Sequence, residues 1–220
     1  MDETNMNTEK MTVHRALAEL KTLDARIQKA ISSTTYCFAN KHSNAKVNGV
    51  EIDEFVATMK DSYKSIRSLI NRRNAMKKAV VLSNATTNVE IGGVKYRVAE
   101  AIEMKNHGMD NYQVLVNAIV RNRAVSQEVI DKYNGATLEK KADDYVVGLY
   151  GSKEKATSTE AEATRKAYIE ANTYDFVDPL GIVVIQQNLE DMIANFNAEV
   201  DAALSVSNAI TEIEFSYETE

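Results

Sequence analysis

The 220-residue chain has one proline, one cysteine, no tryptophan and eight glycines. Helix breakers are therefore scarce, while alanine, leucine, glutamate and lysine are plentiful, and the composition predicts a mainly helical fold. A single thiol, Cys37, excludes an internal disulfide. Flanked by Tyr36 and Phe38, it reads as a small buried side chain, with no nearby base to make it a nucleophile. No apolar run approaches the ~18 residues of a membrane span, and the opening Met1-Asp2-Glu3-Thr4 lacks the basic and apolar regions of a secretory signal. The sequence thus predicts a soluble, intracellular protein without a membrane partner. Cations are missing from one whole segment: no lysine or arginine follows Lys166.

Catalytic signatures are also lacking. His14, His42 and His107 lie far apart without acidic or thiol neighbours at ligand spacing, so no metal site is expected. Gly92-Gly93-Val94-Lys95 has two glycines and a lysine but not the spacing of a phosphate loop. A two-residue hairpin turn explains Gly92 and Gly93 better, because both central positions of a type I′ turn need φ > 0. Asp143-Asp144 reads as a solvated turn or cap more readily than as a carboxylate pair for acid–base work. No catalytic residue, cofactor or metal is assigned, and the chain is read as a non-enzyme.

What is present is a repeat. Leu82–Ile91 (LSNATTNVEI) returns as Val206–Phe215 (VSNAITEIEF), 124 residues later. Each copy ends a helical periodicity and begins an apolar/polar alternation, so Asn84 and Asn208 read as helix stops before strands. Val13, Ala16, Leu20, Leu23, Ile27 and Ala30 form a coiled-coil-like seam that needs a partner helix, with Thr12 as its N-cap. A second long helix is expected from Ile52 to Leu82, and a last one from the Asp178-Pro179-Leu180 start, with Pro179 in its first turn. Between them, a short helix should stop at His107-Gly108, and Asp110 should cap the next one, ending at Asn134-Gly135. The fold class is a long-helix, coiled-coil-like bundle with a small three-stranded antiparallel sheet of about 88–91, 94–98 and 211–215. The last strand lies along the second, since an isolated hairpin is barely stable. The divisions are a free N-terminal arm (1–10), a helical hairpin plus β-hairpin core (11–108), a helical insertion or subdomain (109–179), and a long helix and strand completing the core (180–220).

Charge is polarised. Lys60, Lys64, Arg67, Arg72, Arg73, Lys77 and Lys78 face one acid, Asp61, whereas residues 167–220 hold eleven acids. Such a basic row is the footprint of phosphate attraction. A pI near 5.3 and no interleaved aromatics argue against nucleic acid and for a solvated face, or one paired with the acidic segment of this or a neighbouring subunit.

Leu69–Asn74, Ser83–Thr87, Gly92-Gly93 and Val98–Ile102 together resemble the septicolysin-like family of small helical bacterial proteins. Thr12–Leu20, Asp178–Leu180 and Ser207–Ala209 look like phage-encoded proteins of Gram-positive hosts called viral inclusion-type. The resemblance implies a helical bundle with a small sheet and carries no catalytic residues over. With phage origin from the resemblance, the seam-bearing helices, the charge polarity and the empty catalytic inventory lead to the expectation of a phage structural or assembly protein, a homo-oligomer contacting other phage proteins, made in the host cytoplasm and either a part of the virion or an accessory to its assembly. The alternative is a phage-encoded binder that sequesters a host defence protein or nucleotide signal, and a second alternative is an enzyme with a polar pocket at His107 or Asp143-Asp144.

Overall fold

A computed structural model describes residues 5–151, 154 and 158–219. The helices are α1 (Val13–Ser33), α2 (Ile52–Thr86), α3 (Val98–Glu103), α4 (Met109–Tyr133), α5 (Ala136–Tyr150), α6 (Thr159–Asn172) and α7 (Ile182–Ile210). The strands are β1 (Asn5–Thr12), β2 (Lys46–Val47), β3 (Val50–Glu51), β4 (Asn88–Ile91), β5 (Val94–Arg97) and β6 (Glu212–Thr219). The protein is mainly α with small antiparallel sheets, each of two strands.

The expected third strand goes elsewhere. β6 does not lie along β5; it pairs with β1 from Thr12↔Glu212 to Asn5↔Thr219, and β4–β5 stands as a separate hairpin. An eight-residue strand finds a complete ladder only with an eight-residue partner, and β5 has four residues. The segment expected as a free arm is therefore structural from Asn5 onward, because β1 supplies that ladder.

Neither Asn84 nor Asn208 stops its helix. Both lie inside, and the chain leaves the helix at Thr87 and Thr211, whose N–H groups donate to the carbonyls of Ser83 (2.8 Å) and Ser207 (2.9 Å). A β-branched threonine suits the switch to extended backbone. The same two residues then accept from the next helix starts: Val98 N–H to Thr87 O at 3.0 Å, and Val13 N–H to Thr211 O at 2.9 Å. The repeat is thus one motif built twice. In the first copy α2 runs into β4, which pairs with β5, which enters α3. In the second α7 runs into β6, which pairs with β1, which enters α1. Val98 matches Val13 and Ala101 matches Ala16, all buried.

The chain divides into two compact units, one of Met1–His107 with Asn195–Glu220, the other of Gly108–Ala194. In the first, the copies exchange ribbons. Ile213, Phe215 and Tyr217 of β6 bury with Met76 and Val80 of α2 and with Met11, Val13, Ala16 and Leu20. The α1 seam therefore finds its partner within the chain. The β4–β5 hairpin leans on α7, where Tyr96 meets Phe196 edge-on at 5.6 Å between centroids. Its turn, with φ of 57° at Gly92 and 75° at Gly93, is the expected one, as is the Asn48-Gly49 turn (50° and 82°) between β2 and β3.

In the second unit, α5 and α6 pack through stacked Tyr145 and Tyr168 (4.6 Å) and the Arg165–Asp143 ion pair (2.6 Å). Asn134 clips the backbone of Tyr174 in both directions at 2.9 Å. The break expected at His107-Gly108 is absent, because a π-helical turn, Met104–Gly108, carries the chain into α4 with Gly108 in helical geometry (φ −64°, ψ −44°). Pro179 lies before α7, not in its first turn: the Asp178 carboxylate accepts from the N–H groups of Leu180, Gly181 and Ile182 and supplies the cap itself. Most of the polar stretch 151–158, read as a link between two helices, lies outside the described residues.

Candidate functional site

The basic row lies on α2, and helical geometry divides it. At about 100° per residue, Lys60, Lys64, Arg67 and Lys78 fall on one outward stripe, whereas Arg72 and Arg73 point to either flank of the buried face. Lys60, Lys64, Arg67, Lys77 and Lys78 are exposed; Arg72 and Arg73 are half-buried.

Arg72 is the hub of a clamp. Its Nε and Nη2 donate to the two carboxylate oxygens of Glu9 on β1 at 2.6 and 2.7 Å, and Nη2 also donates to Glu19 of α1 at 2.6 Å. The Tyr217 hydroxyl donates to Glu9 at 2.7 Å and accepts from Asn7 at 2.9 Å. The fork of hydrogen bonds from Arg72 holds the Glu9 and Glu19 carboxyls below the usual carboxylate range, and the same bonds raise Arg72. Burial, helped by the bond to Glu9, pushes the Tyr217 phenol up. Arg73 pairs with Asp24 at 2.8 Å and lowers it in the same way. Phe55 early in α2 meets Phe38 just past the end of α1, Arg72 and Arg73 farther along meet Glu19 and Asp24, and Met76 and Val80 bury in one cluster with Val13 and Ala16 at the start of α1, so the two helices run antiparallel. The clamp fastens β1, α1, α2 and β6, and its members are occupied with one another, so its role is structural. Glu9, Glu19 and Tyr217 were missed in the sequence. The signal that existed was angular, since Arg72 stands about 120° from the Lys60–Lys78 line.

Two recesses lie in the first unit. One, of about 390 Å³, is lined by Thr35, Tyr36, Val56, Met59, Lys60 and Tyr63, placing one cation of the row beside two half-exposed tyrosines. The other, of about 520 Å³, runs between Thr87–Glu90 and α7, with Ala198, Ala202, Val206 and Ile210 on its apolar wall. The Gly92 N–H donates to the Glu199 carboxylate at 2.7 Å, so the turn fastens the hairpin to α7. Asn84 and Asn208 are half-buried within helices.

Cys37 is exposed, contrary to the buried thiol expected from its aromatic neighbours; the connector after α1 turns it outward. Of those neighbours, Phe38 takes the packed place, edge-on to Phe55 at 5.1 Å. His14, His42 and His107 are exposed, and no group of metal-ligating side chains occurs among the described residues. Asp143 is held by Arg165, and neither Asp143, Asp144 nor His107 lines either recess. No helix among the described residues is long and apolar enough to cross a membrane.

No family model, curated protein or solved structure matches the chain. The likeness to septicolysin-like and phage inclusion-type proteins therefore rests on the short stretches quoted above.

Proposed function

We propose that the protein is a non-enzymatic phage structural or assembly component that works by associating with itself and with other virion proteins. The observation that carries this is the unspent charge polarity. Arg72 and Arg73 take their acids from β1 and α1, so the acid-rich segment 167–220 does not serve them. The outward stripe of Lys60, Lys64 and Lys78 and the outward-facing Glu214 and Glu218 of β6 are both exposed on the same molecule, while Glu212 beside them pairs with Lys10 of β1. A surface of each sign on one chain suits head-to-tail contacts between copies. Support for the non-enzymatic reading is that the shifted carboxyl and phenol groups belong to the clamp or to surface ion pairs. The phage assignment rests on the resemblance of Thr12–Leu20, Asp178–Leu180 and Ser207–Ala209.

Light scattering over a concentration series is the test. Association that weakens with added salt and with Lys60→Glu/Lys64→Glu supports the reading. A monomer at every concentration, or absence of the chain from purified particles by mass spectrometry, overturns it.

A second reading, a binder of a nucleotide signal, rests on the recess where Lys60 stands beside Tyr36 and Tyr63. A cation and two ring faces suit a phosphate and a base. Titration calorimetry with cyclic and linear nucleotides, with and without Lys60→Ala, decides it.

A further inference from the structure

α4 is 25 residues long and buries only Met109 and Val116. Its opposite side is apolar as well: Val114 (66% exposed), Ala118, Val125 (54%) and Val129 (36%) fall within an arc of about 60° turned away from the buried pair. A helix apolar on both sides has one face without a partner.

The order of residues along that face matches itself in reverse. With two α4 helices laid antiparallel about an axis between Arg121 and Asn122, Val114 of one copy stands opposite Val129 of the other, and Ala118 opposite Val125. The pairs repeat on the other side of the axis, over a contact of roughly 22 Å. Small Val and Ala side chains let the two backbones approach closely. At each end the same register brings exposed Asp110 of one copy beside exposed Lys132 of the other, so charges of opposite sign close the contact. A parallel alignment would instead set Arg121 on Arg121 and Lys132 on Lys132 in register. In the antiparallel pair only Arg121 meets its own kind, at the rim, where its long side chain can turn to water.

We infer that α4 docks a second copy of this chain, antiparallel and two-fold symmetric, through Val114, Ala118, Val125 and Val129. The pairing rests on the self-association reading above and gives it a defined closed contact. It differs from the charge-driven contacts in its response to salt. Its core is apolar, and added salt screens both the Arg121–Arg121 repulsion and the exposed Asp110–Lys132 attractions at the ends, so the dimer persists at high salt where contacts made by charge alone are lost.

The test uses the full chain. Wild-type protein at 0.5 M salt is expected to approach twice the monomer mass with rising concentration, Val125→Glu to remain monomeric, and Val184→Glu, equally exposed elsewhere, to dimerise as wild type. In a Cys37→Ser background, Ala118→Cys/Val125→Cys is expected to give a covalent dimer under mild oxidation. Ala118→Cys alone should give none, because two copies of residue 118 lie about 10 Å apart along the axis. Helical circular dichroism should be unchanged throughout, since Val125 faces solvent and Ala118, partly buried, gains only a thiol. A wild-type protein that associates while Val125→Glu associates equally, or while the double cysteine stays monomeric on a non-reducing gel, overturns the α4 pairing and leaves self-association standing. A wild-type monomer at all concentrations and salts overturns both.

Discussion

At the scale of single residues, Arg72 carries more of the fold than any other cation of its row. Its guanidinium serves two half-buried carboxylates, and removing it leaves Glu9 with only the Tyr217 hydroxyl and Glu19 with only the exposed Arg15 as donor. Arg72→Met should cost about 1–3 kcal/mol in urea unfolding, the range for stranding partly buried charges. Arg72→Lys should recover part of this, since it keeps the charge and loses the fork. Lys64→Ala and Lys78→Ala, on the outward stripe, should lie within about 0.5 kcal/mol of wild type. The sign of the pH dependence follows from the lowered carboxyls. Glu9 and Glu19 bind protons more weakly folded than unfolded, so their contribution is present above about pH 4.3 and is lost as pH falls through their folded values. Acid titration followed by circular dichroism should show stability falling below about pH 4 in the wild type. The slope should be shallower in Arg72→Met, where the two carboxyls lose the largest cause of their lowering.

Turns, caps and partners operate at the scale of elements. Gly93 sits at φ 75° with open space around its Cα, so Gly93→Ala meets no neighbour and suffers only the left-handed backbone. The expected loss is about 1 kcal/mol, read from the thermal midpoint. Gly92→Asn should be milder on the backbone, as Asn48 shows in the equivalent place of the β2–β3 turn, but its Cβ must be accommodated by that of Asn195, 3.4 Å away. The elements legible from sequence were those whose pattern is local. The α1 seam repeats every three or four residues, Gly92-Gly93 names its own turn, and Thr12 caps its own helix. β1 was illegible because Asn5–Thr12 is mostly polar, buries only Met11 among Met6–Thr12, and owes its conformation to a strand about 200 residues later. The two asparagines misled because the capping amide is one use of Asn among several, and the helical hydrogen bonds beyond them, up to Thr87 and Thr211, were stronger than that preference. The same holds for the α2 clamp, whose acids are scattered over β1 and α1 and converge only once the ribbon has formed.

For the molecule as a whole, the duplication was visible in sequence and its assembly was not. Strand alternation says that a strand exists and is silent on which strand it joins. The pairing of β1 with β6 makes Asn5–Thr12 essential, which a dangling arm would not be. Deleting residues 1–11 should abolish cooperative thermal unfolding or drive aggregation, by stripping the ladder from β6 and removing Glu9 from Arg72. An unchanged melting curve would show the strand to be dispensable.

The register Asn5↔Thr219 has a topological consequence. In the first copy the two ribbon strands are joined by Gly92-Gly93; in the second they lie about 200 residues apart in sequence, with Asn5 and Thr219 facing each other across one rung. A chain of residues 5–219 therefore lends itself to circular permutation: a two-residue linker from 219 to 5 would turn the second ribbon into a hairpin like the first, and new ends could be opened at the Asn48-Gly49 bend without severing either copy of the motif.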